Sequence, residues 1–425
     1  MSNLLKASPA APEATERWIA TPVGRGTVLL AIATFGVGFS MAAQQNIVSN
    51  YFEDDLGLRG PQFGYITAIR EVPGFLLIFL TALFYRLSLP RLTFGALVLL
   101  SIGYALFGWS NSFWSVAPWV VLSSIGYHTW LQTQSALGLT LAREEHSGRI
   151  LGRMAAINQG GALVAMAVVL VAFQQDWLSF DSTFVLCGAM ALVAAIAIFG
   201  FPALRDGALQ EKVQQRERIV FRRDYRLYYL LSLLDGARQQ IFFSFGLWVL
   251  IDQYGLSVPQ ISAVLLVTTA AAMILTPRIG RALDAHGERT LLFYVNIAFI
   301  LALLGYALVT NSILATICYV AYTFIAPLAP MGATVYLRKI APSADLAPSL
   351  AMGLTMQHAA AIVVPVVTGF ILNYVGYQIP FLVASGFAVI TLFVSRSLDP
   401  VGQKTAAKRA EEADSRKLKA TESVI

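Results

Sequence analysis

Charge is scarce in this sequence. Asp, Glu, Lys and Arg make up 13% of its 425 residues, about half the share of an ordinary soluble domain, which is too little polar surface to wet a globule. Cysteine is scarcer still. Cys187 and Cys318 both fall inside apolar runs, so they read as small hydrophobes and exclude a disulfide framework. The histidines are dispersed, without an H-x-x-x-H spacing, which argues against a metal site. Walker A, serine-nucleophile elbow and zinc signatures are missing too. ATP-driven transport and membrane-embedded hydrolysis therefore lack their chemistry, and neither an enzyme nor a cofactor is expected. Residues 1–26 are polar, carry Pro9, Pro12 and Pro22, and contain no apolar h-region. No cleavable signal peptide is expected there, and the first apolar run serves as the insertion signal.

Long hydrophobic runs are what the sequence does have. It is 57% hydrophobic, with a mean hydropathy of +0.65. Blocks such as LVAMAVVLVAF and FVLCGAMALVAAIAIFGF sit in stretches near the ~20 residues a helix needs to cross the hydrocarbon layer. They do not alternate every second residue as barrel strands would. The chain reads as an all-α, multi-pass membrane protein. Turn residues and charges divide it into twelve spans: about 27–49, 62–85, 92–111, 113–141, 150–173, 182–203, 228–251, 260–282, 290–310, 312–337, 348–373 and 378–396.

All but three of the 30 Lys and Arg residues fall in the termini, the even-to-odd connections or the span ends that border them. The exceptions are Arg59 in the opposite set and Arg70 and Arg238 inside spans. The positive-inside rule then puts both termini in the cytoplasm, and topology alone explains the net charge of +6, with no nucleic-acid partner. The expected layout is a cytoplasmic tail (1–26), six spans (27–203), a cytoplasmic central loop (204–227), six more spans (228–397) and a second cytoplasmic tail (398–425).

The two groups of six echo each other. GLRGPQ at 57–62 returns as GLSVPQ at 255–260, GYAL at 103–106 returns at 305–308, and Asn111-Ser112 returns as Asn311-Ser312. LGRMAAINQGGALV at 151–164 aligns without gaps to LAMGLTMQHAAAIV at 350–363, all at a spacing of about 200 residues. Two homologous six-helix halves are the expected architecture. Residues 280–291, GRALDAHGERTL, resemble the G-x-L-x-D-x-x-G-R-R motif of the major facilitator superfamily, with Gly280, Asp284, Gly287 and Arg289 at the matching positions. The resemblance covers about residues 25–400 and implies the twelve-helix fold of that family. It also implies that Asp284 latches a cytoplasmic gate with the start of span 5 and nearby Arg338. The corresponding loop between spans 2 and 3, ALFYRLSLPRL, departs from the pattern. Arg86 takes the acid position and the turn glycine is missing. The span-5 Gly-Pro motif of drug–proton antiporters is missing as well.

Ionisable groups at bilayer depth are costly and face a partner or a wet cavity. Arg70 and Glu71 in span 2 are adjacent, so their side chains leave the helix about 100° apart. They read either as a structural charge pair or as a substrate or proton site. In span 7, Asp235 and Arg238 are three apart and Asp235 and Gln239 four apart, which puts an acid, a base and an amide on one face. An internal neutralising pair is the alternative to a functional role. His128 lies in YHTWLQTQ with Gln132 on the same face; hydrogen-bonded packing and a proton relay are both open. His358 beside Gln357 in span 11 reads the same way. Span 1 adds Gln44, Gln45 and Asn46, and span 10 adds Tyr319, Tyr322 and Thr323 with Pro327 and Pro330 breaking that helix. By the resemblance, spans 1, 4, 7 and 10 line a central cavity.

The expectation is a monomeric secondary active transporter in the plasma (inner) membrane, moving a small organic solute by alternating access. The proton gradient is the expected drive, with Glu71 or Asp235 as carrier. Arg70 and Arg238 suggest an organic anion, a zwitterion or a polar metabolite. Efflux of amphipathic drugs is the alternative within transport, and a non-transporting sensor or assembly protein is the alternative outside it.

Overall fold

The computed structural model describes residues 21–76, 87–141, 147–202, 221–399 and 402. Among them every regular element is helical. The first six helices are α1 (Pro22–Asn50, continuing into a π turn at Tyr51–Asp55), α2 (Gly60–Phe75), α3 (Leu89–Phe107), α4 (Phe113–Leu141), α5 (Ser147–Gln174) and α6 (Phe180–Phe199). After a 3₁₀ turn at Arg223–Tyr225 come α7 (Arg226–Asp252), α8 (Val258–His286), α9 (Glu288–Leu308), α10 (Ser312–Ile325), α11 (Leu328–Ile340), α12 (Ser343–Val375) and α13 (Gln378–Arg396). Helices α10 and α11 are the two pieces of the tenth span. Its break falls at Pro327, as expected where a proline cannot supply the next backbone donor.

Local chemistry starts these helices. Thr21 caps α1, accepting from the Gly24 N–H at 3.0 Å, with Pro22 at the first position. Asn311 accepts from the N–H groups of Ile313 and Leu314 to start α10. The duplicated turn is also duplicated in conformation. Gly57 and Gly255 both take left-handed backbones, with φ of 59° and 66°, which glycine alone adopts without strain. The Gln62 side chain then accepts from the Arg59 N–H at 3.3 Å, and Gln260 from the Ser257 N–H at 2.9 Å. Each glutamine thereby satisfies a donor at the start of its helix.

Eight described stretches are long and apolar enough to cross a membrane. Helices α4 and α7 have the length, at 29 and 27 residues, but their polar centres leave them outside that set. Such helices need other helices around them rather than lipid. The YHTWLQTQ stretch, which interrupts the apolar run, does not interrupt α4.

The described residues divide into two compact units, each discontinuous in sequence: Met1–Leu56 with Val72–Arg216 and Ser257–Leu266, and Gly57–Glu71 with Glu217–Leu256 and Val267–Ile425. Within the first, α1 packs on α5 and α6, and α3 on α4 and α6. Within the second, α7 packs on α12 and α13, and α9 on α10, α11 and α13. Counting α10 and α11 as one span, the pairings of the first unit recur in the second. The α3–α4 contact in the first unit depends on Gly126, where a Cβ would overlap the Ala96 carbonyl; small residues let membrane helices approach this closely.

Candidate functional site

Helix α7 brings its acid and base together as their three-residue spacing predicts. Arg238 Nη2 donates to Asp235 Oδ1, and the two side chains are 1% and 7% exposed. The central guanidinium carbon lies over the Phe299 ring of α9, 3.4 Å from its centroid, with the Tyr322 ring of α10 at 5.8 Å. A desolvated cation–π contact of this kind contributes about 2 kcal/mol. Tyr322 in turn stacks on Phe242 at 3.7 Å. The pair thus sits inside the bundle of the second unit. Its two charges offset one another, as buried charges must. Gln239 projects from the same helix and is partly exposed.

The pair is incompletely satisfied. Asp235 Oδ2, Arg238 Nε and Arg238 Nη1 are buried without a hydrogen-bond partner among the described residues. Beside Asp235 opens a small cleft of about 30 Å³, its polar lining made by Tyr228, Ser232, Asp235, Thr334, Gln357 and Thr391. Leu292 and Ala333 contribute to its apolar wall. The backbone of α12 can come this near because position 236 is glycine: an added Cβ would lie 3.0 Å from Gln357 Cα.

Arg70 and Glu71 also find each other, although adjacent residues leave a helix in divergent directions. The arginine chain is long enough to fold back, putting Nη2 and Nε at 3.1 and 3.2 Å from Glu71 Oε1. The other carboxylate oxygen, Oε2, lies 3.5 Å from His358 Nδ1 on α12. His358 therefore joins the site residues, although the sequence alone gave no reason to place it near Glu71. His128 is 6% exposed. Its Nδ1 meets both the carbonyl and the hydroxyl oxygen of Ser124 at 3.0 Å, and Gly74 packs against its ring. Gln132, one turn on, is exposed and shares no described hydrogen bond with it. In α1, Asn46 is fully buried and accepts from the Ser262 hydroxyl at 3.0 Å.

Phe242, Tyr306, Tyr319, Tyr322 and Phe381 are 0–5% exposed and form one network of ring contacts. Of the expected gate motif, Gly287 has φ 79° at the head of α9, the backbone that a turn glycine supplies, and Arg289 and Arg338 are exposed. Residues 275–286 are described as helical backbone only. Apart from that backbone, Gly280 and Asp284 lie outside the described residues, as does Arg86.

A third polar cluster has no counterpart in the sequence reading. Asp345, in the first turn of α12, accepts from Arg222 Nη1 and from the Tyr225 hydroxyl, both at 2.9 Å. The bond to Asp345 raises the pKa of Arg222 further above its ordinary value. Burial, then the neighbouring carboxylate, pushes the Tyr225 phenol up to about 12.

The profile of the Major Facilitator Superfamily matches residues 30–233 and again 228–423. The chain belongs to the major facilitator superfamily. It is a multi-pass membrane transporter, not an enzyme. Its fold is that of solved members. The nucleoside transporter NupG aligns with a TM-score of 0.71 at 16% identity, covering 88% of this chain and 98% of that one. A bacterial homologue of the human lysosomal transporter Spinster, in an inward-facing and occupied conformation, aligns with a TM-score of 0.67 at 13% identity, covering 89% and 96%. No curated protein matches the sequence.

Proposed function

We propose that this chain is a proton-coupled secondary transporter of a small organic solute, with Asp235 as the proton-exchanging group. The observation that carries the reading is the half-satisfied pair. A carboxylate 5% exposed holds Arg238 with one oxygen, while the other is buried without a partner, and the residue lines a polar cleft. Such a group can take up a proton when solute or water meets the charge left on Arg238, and release it when the cleft meets a different water phase. Glu71, between Arg70 and His358, is the second carboxylate at membrane depth and the auxiliary carrier.

The transport cycle is alternating access between homologous six-helix halves, 27–203 and 228–397, with both termini and the 204–227 loop cytoplasmic. The twofold profile match, the recurring helix pairings and the Lys/Arg distribution support that layout. Asp284 and Arg338 close the cytoplasmic side, the monomer is the working unit, and the inner (plasma) membrane is the site of action. The likeness to NupG, described as a nucleoside transporter, makes a nucleoside the first solute to try.

The test is uptake of labelled uridine and glucose into proteoliposomes with and without an imposed pH gradient. Gradient-dependent accumulation of either supports the reading; uptake indifferent to the gradient overturns the coupling.

A further inference from the structure

We infer that the cleft beside Asp235 seats an uncharged, hydrogen-bond-donating group of the solute, a hydroxyl or an amide, and turns anions away. The inference rests on the transporter reading for what the cleft is for, but its geometry stands independently of any cycle. Among the described lining residues Asp235 is the sole charged side chain. Arg238, which suggested an organic anion when only the sequence was in view, does not line the cleft. Its guanidinium is held by Asp235 and laid on Phe299. Arg70 is likewise held by Glu71. An anion entering here would meet a carboxylate and no available base.

A cation fits little better. The Asp235–Arg238 pair is already neutral as a unit, so any ion brings an uncompensated charge into a desolvated place. What this place lacks is a donor: Asp235 lines the cleft, its Oδ2 is buried and unpartnered, and a buried acceptor left without a donor is costly. The rest of the lining can accept as well as donate. Thr391 gives its hydroxyl hydrogen to the Phe387 carbonyl at 2.8 Å, which leaves its oxygen as an acceptor, and the Gln357 amide offers both roles. Leu292 and Ala333 provide an apolar edge beside that single group. A group that donates to a carboxylate, accepts from an amide and carries no net charge satisfies all of these at once.

The electrostatics can be read without knowing the solute. Thr334 is exposed at the cleft. The full-length Thr334→Cys chain, with Cys187 and Cys318 both changed to Ala, is purified and labelled with three methanethiosulfonates of similar size: the neutral methyl, the anionic sulfonatoethyl and the cationic trimethylammonioethyl reagents. Each rate is divided by the rate of the same reagent with free mercaptoethanol. The neutral reagent is expected to lead both charged ones by about tenfold, the scale of one uncompensated charge at close range in a partly desolvated site. Adding Asp235→Asn together with Arg238→Gln removes both charges at once and is expected to narrow the anionic deficit. If that chain does not fold, the first comparison decides alone. Equal or faster labelling by either charged reagent overturns the inference, and so does failure of every reagent to reach Cys at 334. Labelling requires no turnover, so absent uptake in the vesicle assay would count against the transporter reading and leave this result standing.

Discussion

Arg238 shows how a residue can be legible in its partner and illegible in its surroundings. Its three-residue spacing from Asp235 announces the pair, but nothing in the sequence singles out Phe299, one of 26 phenylalanines, as the ring on which the guanidinium lies. Phe299→Leu keeps an apolar side chain and removes the ring face; a loss of about 1–2 kcal/mol is expected in thermal or denaturant unfolding of purified protein. Asp235→Ala should cost more, about 3–5 kcal/mol, because it strands a buried cation. A Phe299 variant as stable as the parent would show that the contact is incidental. Tyr225 offers a test by pH. Its folded pKa of about 12 lies above the ordinary phenol value of 10.0, so the native state binds the proton more tightly than the unfolded chain does. That contribution is fully present below pH 10 and is lost as pH rises from 10 to 12. The parent should therefore lose more stability over that interval than Tyr225→Phe, and equal losses would contradict the assignment.

The repeated element is the turn that begins α2 and α8. Gly57 and Gly255 have open space around them but positive φ, so a methyl group there strains the backbone and touches nothing. Gly152 also has open space, but it lies in the interior of α5. Gly57→Ala and Gly255→Ala should each destabilise by about 1 kcal/mol, whereas Gly152→Ala should stabilise by about 0.5–1 kcal/mol. Differential scanning of the three variants separates backbone strain from crowding; a loss at Gly152 equal to that at Gly57 would remove the argument. These turns were readable because glycine, proline and glutamine act locally, over a few residues. The Glu71–His358 and Asp345–Arg222 contacts were not. They join residues far apart in sequence, and a single chain carries no local mark of which helices will meet.

At the scale of the whole molecule, the all-helical, multi-pass fold and the family were legible from hydropathy, the echo at about 200 residues and the Gly280–Arg289 motif. What the solute is was not, because the same fold serves many. In the sequence, Arg70 and Arg238 suggested an organic anion, a zwitterion or a polar metabolite. In the structure both guanidinium groups are engaged by carboxylates. The central claim is that Asp235 couples protons to solute movement. If it does, neutralising it should separate coupled accumulation from passive exchange. The deciding measurement compares the parent with Asp235→Asn in proteoliposomes, reading pH-driven net accumulation and solute counterflow side by side for the solute that the parent accumulates. Loss of accumulation by at least about tenfold with counterflow retained is the result expected. Undiminished pH-driven accumulation in Asp235→Asn would contradict the account.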